Sequence, residues 1–147
     1  MPRQDPLRNF LFRLEIDGIQ TAGFSEVSIL ETTTEAIDYR EGTDPPHVRK
    51  LAGLTKYGNI VLKRGVVAGG NALDLYRWHA SVVAAGAQGS RRNVAIILSS
   101  ENGNDQARFV VTDAWPAKYA SGPFNARGNE VLIELLELVN EGIQRVD

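Results

Sequence analysis

Short runs of alternating apolar and polar residues constrain this chain of 147 residues to a mainly β fold. In the first run, residues 9–16, one face carries Phe10, Phe12, Leu14 and Ile16. This alternation is typical of a strand with one buried face. Asp17 and Gly18 follow as a hairpin turn signal, so we predict that residues 19–30 return as a second strand.

Later runs have the same β character. Strands are predicted at residues 32–39, 60–63, 93–99 and 107–112. The last two flank a turn at residues 101–104, and the Gly, Pro and Asn residues of 121–129 predict a loop. The resulting fold is a mainly antiparallel β-sandwich or small barrel in one domain, residues 1–147.

A single helix is predicted at residues 72–85. Its apolar face carries Leu75, Trp78, Val82 and Ala85. Asn71 is a good N-cap residue and Gly86 a good C-terminal stop. We expect Trp78 to pack this helix on the sheet.

Residues 40–56 are predicted to form a long loop. The stretch opens with turn-forming residues, including Pro45 and Pro46, and continues with cations and glycine. Ordered loops of this length usually contact something outside their own domain. We expect the cations on and after the loop to pair with acidic residues of a neighbouring subunit; they are Lys50, Lys56, Lys63 and Arg64.

The two ends of the chain carry different patterns. Pro2 and Pro6 predict an extended N-terminal arm at residues 1–8. Near the C-terminus, Glu130, Glu134 and Glu137 recur at helical spacing, whereas residues 131–133 are β-prone. Periodicity alone favours a helix here, and the β-prone residues keep a strand as the alternative.

Composition excludes several function classes. The formal net charge is −2, with 16 basic and 18 acidic residues, which argues against specific nucleic-acid binding and stable membrane association. The chain has no cysteine, and His47 and His79 lack ligand spacing, so no metal, cofactor or catalytic residue is predicted. No signal peptide or membrane span is evident, so we expect a protein made in the cytoplasm.

Several short motifs, in order along the chain, resemble the tail tube proteins of contractile phages and of contractile injection systems. They lie at residues 5–6, 9–10, 15–19, 22–28, 39–42, 50–60, 62–65, 114–116, 125–126, 128–131, 136–138 and 140–143. Ala52 and Asn140 stand where Pro and His are more usual in that family. Residues 66–92 match least.

The resemblance implies a β-sandwich or barrel-like subunit with one helix and a final strand at residues 130–140. It implies hexameric rings stacked into the hollow inner tube of a phage tail or phage tail-like particle, extracellular or cytoplasmic. The partners would be other copies, sheath, baseplate and spike proteins, and cargo in the lumen. The tube would be a structural conduit driven through a target envelope, not an enzyme; a secreted ring protein related to type VI secretion tubes is a close variant.

Inter-subunit contacts are expected on the long loop. The residues we assign to them are Arg40, Glu41, Lys50, Leu54, Lys56 and Tyr57. The alternative from another class is a small-molecule-binding β-barrel, which requires an apolar cavity with a few polar groups directed into it. A hydrolase ranks third, because the chain offers no nucleophile context.

Overall fold

The computed structural model describes residues 12–17, 24–43, 46–66, 73–99, 104–128 and 132–146. Its elements in chain order are β1 (Phe12–Ile16), β2 (Phe24–Val27), β3 (Thr32–Tyr39), β4 (Arg49–Tyr57), β5 (Ile60–Gly65), α1 (Asp74–Ala85), β6 (Arg92–Ser99), β7 (Asp105–Gly122), β8 (Ile133–Val139) and β9 (Gly142–Arg145). A short 3₁₀ turn, Gln88–Ser90, links α1 to β6. The mainly β fold with one helix is confirmed.

The main sheet is antiparallel, with the strand order β1-β6-β7-β8-β5-β2 and β9 added on β7. The long strand β7 belongs to both halves of this sheet. Its first part pairs with β6 and β9, and its second part, from Trp115 onward, pairs with β8. Asp113, between the two parts, has φ 52°, and the β6 register shifts nearby. The two halves therefore pack as a sandwich around one core.

The core is closed by α1. Buried side chains from β1, β5, β6, β7 and β8 form one cluster with Leu75 and Trp78 of the helix. The indole Nε1 of Trp78 donates a 2.6 Å hydrogen bond to the Ser90 carbonyl. This bond satisfies the polar end of a large buried ring and fixes the helix to the turn that follows it.

The predicted hairpin of the first two strands is wrong for the described residues, since β1 pairs with β6 and β2 pairs with β5. Asp17 explains part of the difference. Its backbone N–H donates to the Asn93 carbonyl, its side chain accepts from the Asn93 N–H, and its carbonyl accepts from the Arg92 guanidinium. The turn-forming residue is thus bound to the start of β6.

Two loop predictions also need correction. Arg49–Tyr57 is strand β4, so the second half of the predicted loop at residues 40–56 is extended. Strand β7 continues to Gly122, so it includes the first two residues of the predicted loop at residues 121–129. The final strand that the resemblance implied at residues 130–140 is confirmed for the described residues as strand β8, Ile133–Val139. The predicted arm at residues 1–8 and the cap at Asn71 lie outside the described residues.

No helix in the described parts of the chain combines the length and apolar character that crossing a membrane requires.

Candidate assembly surface

Strands β3 and β4 form a hairpin that is separate from the main sheet. Every residue of β3 is exposed, and so is every residue of β4 except Gly53 and Tyr57, which are half-buried. At its base, the Gly58 N–H donates to the Glu31 carbonyl and the Asn140 side chain donates to the Gly58 carbonyl. An isolated two-stranded hairpin is marginally stable in water, so this one calls for a partner.

The strand register divides the hairpin into two faces. Directly paired residues share a face, and the pairs alternate in side along the ladder. A register shift occurs between Thr34 and Ala36, where Gly53 and Leu54 together oppose Glu35. A Cβ on Gly53 would lie 2.8 Å from Cδ1 of Ile37, which places the bulge on the Ile37 side.

We call the Ile37 side the apolar face. Its members are Thr33, Glu35, Ile37, Tyr39, Arg49, Leu51, Leu54 and Lys56. The side chains of Leu54, Leu51 and Ile37 are 70%, 48% and 44% exposed. The Tyr39 hydroxyl donates to Glu41, and this hydrogen bond raises the pKa of Tyr39. Contiguous exposed apolar side chains of this kind mark a contact surface.

We call the opposite side the threonine face. Its members are Thr32, Thr34, Ala36, Asp38, Lys50, Ala52, Thr55 and Tyr57. The hydroxyls of Thr34 and Thr55 are 3.0 Å apart and hydrogen-bonded across the strands. Asp38 and Lys50 form an ion pair, so the two charges of this face neutralise one another. The threonine face is therefore polar and carries no net charge.

All six predicted contact residues lie on or beside the hairpin, but not on one surface. Leu54 and Lys56 are on the apolar face, whereas Lys50 and Tyr57 are on the threonine face. Arg40 and Glu41 follow β3 directly. Val48 and Leu51 belong to the predicted loop that was expected to contact a neighbour, whereas Ile37 and Tyr39 are exposed side chains that the prediction did not assign to contacts. In β3, the shared side of residues 33, 35, 37 and 39 was a signal of the apolar face in the sequence. The matching side of β4 could not be recognised, because residues 49–56 were assigned to a loop.

Of the four basic residues expected to pair with a neighbouring subunit, three have acidic partners within the chain, and the expectation is wrong for Arg64 because it is buried. Lys50 pairs with Asp38 and Lys63 with Glu26, both within the chain. Arg64 is buried and pairs with buried Glu134 of β8, 70 residues away.

The buried ion pair belongs to a small polar cluster. The Tyr119 hydroxyl donates a 2.7 Å hydrogen bond to Oε2 of Glu134, and the Arg64 guanidinium lies 5.5 Å from the centroid of the Phe24 ring. Burial, followed by the hydrogen bond to Glu134, raises the pKa of Tyr119 to about 12. His79 stacks on Tyr119 at 6.5 Å between centroids. These contacts join the sheet to α1 and give the cluster a structural role.

An apolar cleft of about 450 Å³ opens between β2 and the β1–β6–β7 half of the sheet. Its lining residues are Phe12, Ser25, Glu26, Val27, Ser28, Leu30, Ile96, Leu98 and Phe109. Its polar members already have partners: Ser25 donates to the Lys63 carbonyl, Ser28 accepts from the Val61 N–H, and Glu26 pairs with Lys63. The cleft thus lacks the convergent polar groups that a small-molecule site requires.

The described residues contain no group of three or more His, Asp or Glu side chains that could hold a metal. His47 is exposed beside the hairpin strands, and His79 is packed on a ring. A small β domain with a rigid core and an uncovered amphipathic hairpin is a structural subunit that assembles with other chains.

Comparison with known proteins identifies the family. The family model of the T4-like virus tail tube protein gp19 matches residues 8–144, so the chain belongs to this tail tube family. It is a tube subunit of a phage tail or phage tail-like particle. A search among curated protein sequences found no significant match.

Solved structures agree with this assignment. The chain is 26% identical to a chain of the anti-feeding prophage baseplate, with a TM-score of 0.75 over 99% of this chain and 97% of that one. For a chain of the anti-feeding prophage tube-terminating cap the values are 25% and 0.83, over 99% and 94%. The fold is shared with a chain of the PVC sheath-tube complex of an extracellular contractile injection system (24%, TM-score 0.83, over 96% and 91%). It is also shared with Hcp1 from Flavobacterium johnsoniae (18%, TM-score 0.63, over 92% and 94%).

Proposed function

We propose that six copies of this chain close into a ring, and that the rings stack into the hollow inner tube of a contractile particle. A sheath surrounds the tube, a baseplate starts it and a spike closes its tip. The tube is assembled in the cytoplasm and acts as a conduit for cargo, with no enzymatic activity of its own. The observation that carries this proposal is the exposed β3–β4 hairpin. An isolated hairpin is marginally stable, and its exposed apolar side chains mark a contact surface, so we expect another chain to cover it.

Surface area supports extensive self-contact. A compact monomer of this mass exposes about 7,400 Å². Obligate interfaces bury roughly 2,000 Å² or more each, so contacts within and between rings can use a large share of that surface. Head-to-tail contacts between copies close into rings, and contacts between ring faces then produce a stack.

The hairpin is the element that we assign to contacts between stacked rings. It extends about 26 Å along β3 at the usual rise per residue. Its base is held by β2 and β5 of the main sheet, so it can reach a neighbouring copy without disturbing the core. Residues at these contacts include Arg40, Glu41, Leu54 and Lys56.

Negative-stain microscopy of the purified protein tests the proposal. The unmodified chain is expected to form rings and tubes, and a preparation that contains only compact monomers would refute the tube. Deleting residues 40–56 is expected to stop assembly at rings or monomers. Reversing two charges of the apolar face, Arg49→Glu with Lys56→Glu, is expected to have the same effect.

The charge reversal has a matched control outside the hairpin. Lys63→Glu with Lys118→Glu changes the net charge by the same amount but leaves β3 and β4 intact. Tubes are expected from this control. A second control, Asp38→Lys with Lys50→Asp, exchanges the partners of the hairpin ion pair and also retains tubes. Long tubes from the hairpin reversal would show that the hairpin does not supply the stacking contact.

A further inference from the structure

The two faces of the β3–β4 hairpin differ enough to assign each of them a neighbour. We propose that the apolar face is buried against a second copy of this chain, and that the threonine face lines the channel of the tube. This inference rests on the tube proposed above and adds the orientation of the hairpin within the tube wall.

Burial is required on one face only. Leu54, Leu51 and Ile37 are large, exposed and adjacent across the two strands. Covering these side chains removes contiguous apolar surface from water, which favours association. Apart from half-buried Tyr57, the threonine face consists of threonine, alanine and an ion pair, so covering it would remove little apolar surface from water.

A second copy is the occupant that the chain itself favours. A tube is made of many copies, so each hairpin always has another copy within reach. The apolar face is also bordered by charges of both signs, Glu35 on β3 and Arg49 and Lys56 on β4. A surface with both signs can meet the same kind of surface on a neighbour without net repulsion.

The channel is the neighbour that suits the threonine face. Outer surfaces of soluble particles usually carry many unpaired charges of both signs. Here the only charges are Asp38 and Lys50, and they neutralise one another in an ion pair. Repeated around and along a tube, this face makes a hydrated wall of hydroxyl and methyl groups without fixed net charge. Such a wall holds neither acidic nor basic cargo by electrostatic attraction.

The absence of cysteine from the chain makes single-cysteine labelling a direct test. Thr34→Cys reports on the threonine face and Leu54→Cys on the apolar face. Each variant is assembled and then treated either with a small maleimide or with a maleimide on a polymer wider than the lumen seen in the same micrographs. Unassembled protein in denaturant is the reference for full reactivity.

In tubes, Thr34→Cys is expected to react with the small reagent and to lose its reaction with the polymer. Leu54→Cys is expected to lose its reaction with both. Full reactivity of Leu54→Cys in tubes would overturn the burial. Protection of Thr34→Cys from the small reagent, or reaction with the polymer, would overturn the assignment to the channel.

A variant that does not assemble leaves the test intact, because Leu51→Cys lies on the apolar face and Thr55→Cys on the threonine face. If the unmodified chain forms no tube, the proposed function fails and this inference fails with it. Micrographs report that outcome, whereas labelling of intact tubes reports an error in orientation alone. The two failures are therefore distinguishable.

Discussion

Replacing Arg64 by alanine is expected to destabilise the subunit severely. The Arg64 and Glu134 side chains are 9% and 3% exposed, and Nε of Arg64 donates directly to the carboxylate. Without the guanidinium, Glu134 would keep its hydrogen bond from Tyr119 but would remain a buried charge without a counter-ion. Breaking a buried pair in this way costs about 3–5 kcal/mol.

That cost is large for a domain of this size. Single domains are stable by about 5–15 kcal/mol, so the variant loses roughly a fifth or more of its free energy of unfolding. With a slope near 2 kcal/mol per molar, a loss of about 4 kcal/mol moves the urea midpoint down by about 2 M. All proteins are compared in a Leu54→Asp background, which is designed to keep them unassembled so that binding between copies does not add to stability.

The matched variant removes both charges. In a Tyr119→Phe background, which removes the hydroxyl that donates to Glu134, Arg64→Met with Glu134→Leu replaces the pair by apolar side chains of similar length. We expect the stability of this double variant to lie within about 1 kcal/mol of that background or above it. If Arg64→Ala lowers the free energy of unfolding by less than about 1 kcal/mol, the range of surface ion pairs, the claim that this pair is shielded from water would be refuted. A double variant as unstable as the sum of the two single losses would refute the coupling.

Three further predictions concern Tyr119, Trp78 and Gly53. Burial and the hydrogen bond to Glu134 raise the pKa of Tyr119 from its ordinary value of about 10 to about 12, so its contribution to stability is complete below pH 10 and is lost as the pH rises toward 12. Tyr119→Phe should flatten this part of the stability profile in urea titrations, and an unchanged slope would contradict this prediction. Trp78→Phe leaves the Ser90 carbonyl of the 3₁₀ turn without its indole donor, so we expect the free energy of unfolding to fall by about 1–3 kcal/mol. Calorimetry should then show a melting temperature lower by several degrees. An unchanged melting temperature would count against the role of this bond. Gly53→Val should displace the Ile37 side chain, abolish tubes in micrographs and change the free energy of unfolding by less than about 0.5 kcal/mol. The control is Gly89→Ala, where an added Cβ meets open space, and it should keep tubes. Tubes from Gly53→Val would show that the bulge tolerates a side chain.

The sequence was informative wherever the signal was local. Alternation placed β1, and the spacing of Leu75 and Trp78 placed the helix, because side chains on one face of an element recur at its own period. The family motifs are local as well, which is why the resemblance led to the correct fold and tube role. The loop prediction for residues 40–56 failed because Pro46 and Gly53 are typical of loops, whereas residues 49–57 form a strand through hydrogen bonds to β3.

Sequence alone therefore determined the mainly β class, the single helix and the family. Tertiary structure decided which strands pair, because hydrogen bonds between β1 and β6 join residues about 80 positions apart that no local pattern connects. It also decided the role of Glu134, whose helical spacing in the sequence hid a buried partner on β5. Finally, it decided the two faces of the hairpin, because a one-residue bulge in β4 sets which side chains share a side, and only the register across the strands reveals where that bulge lies.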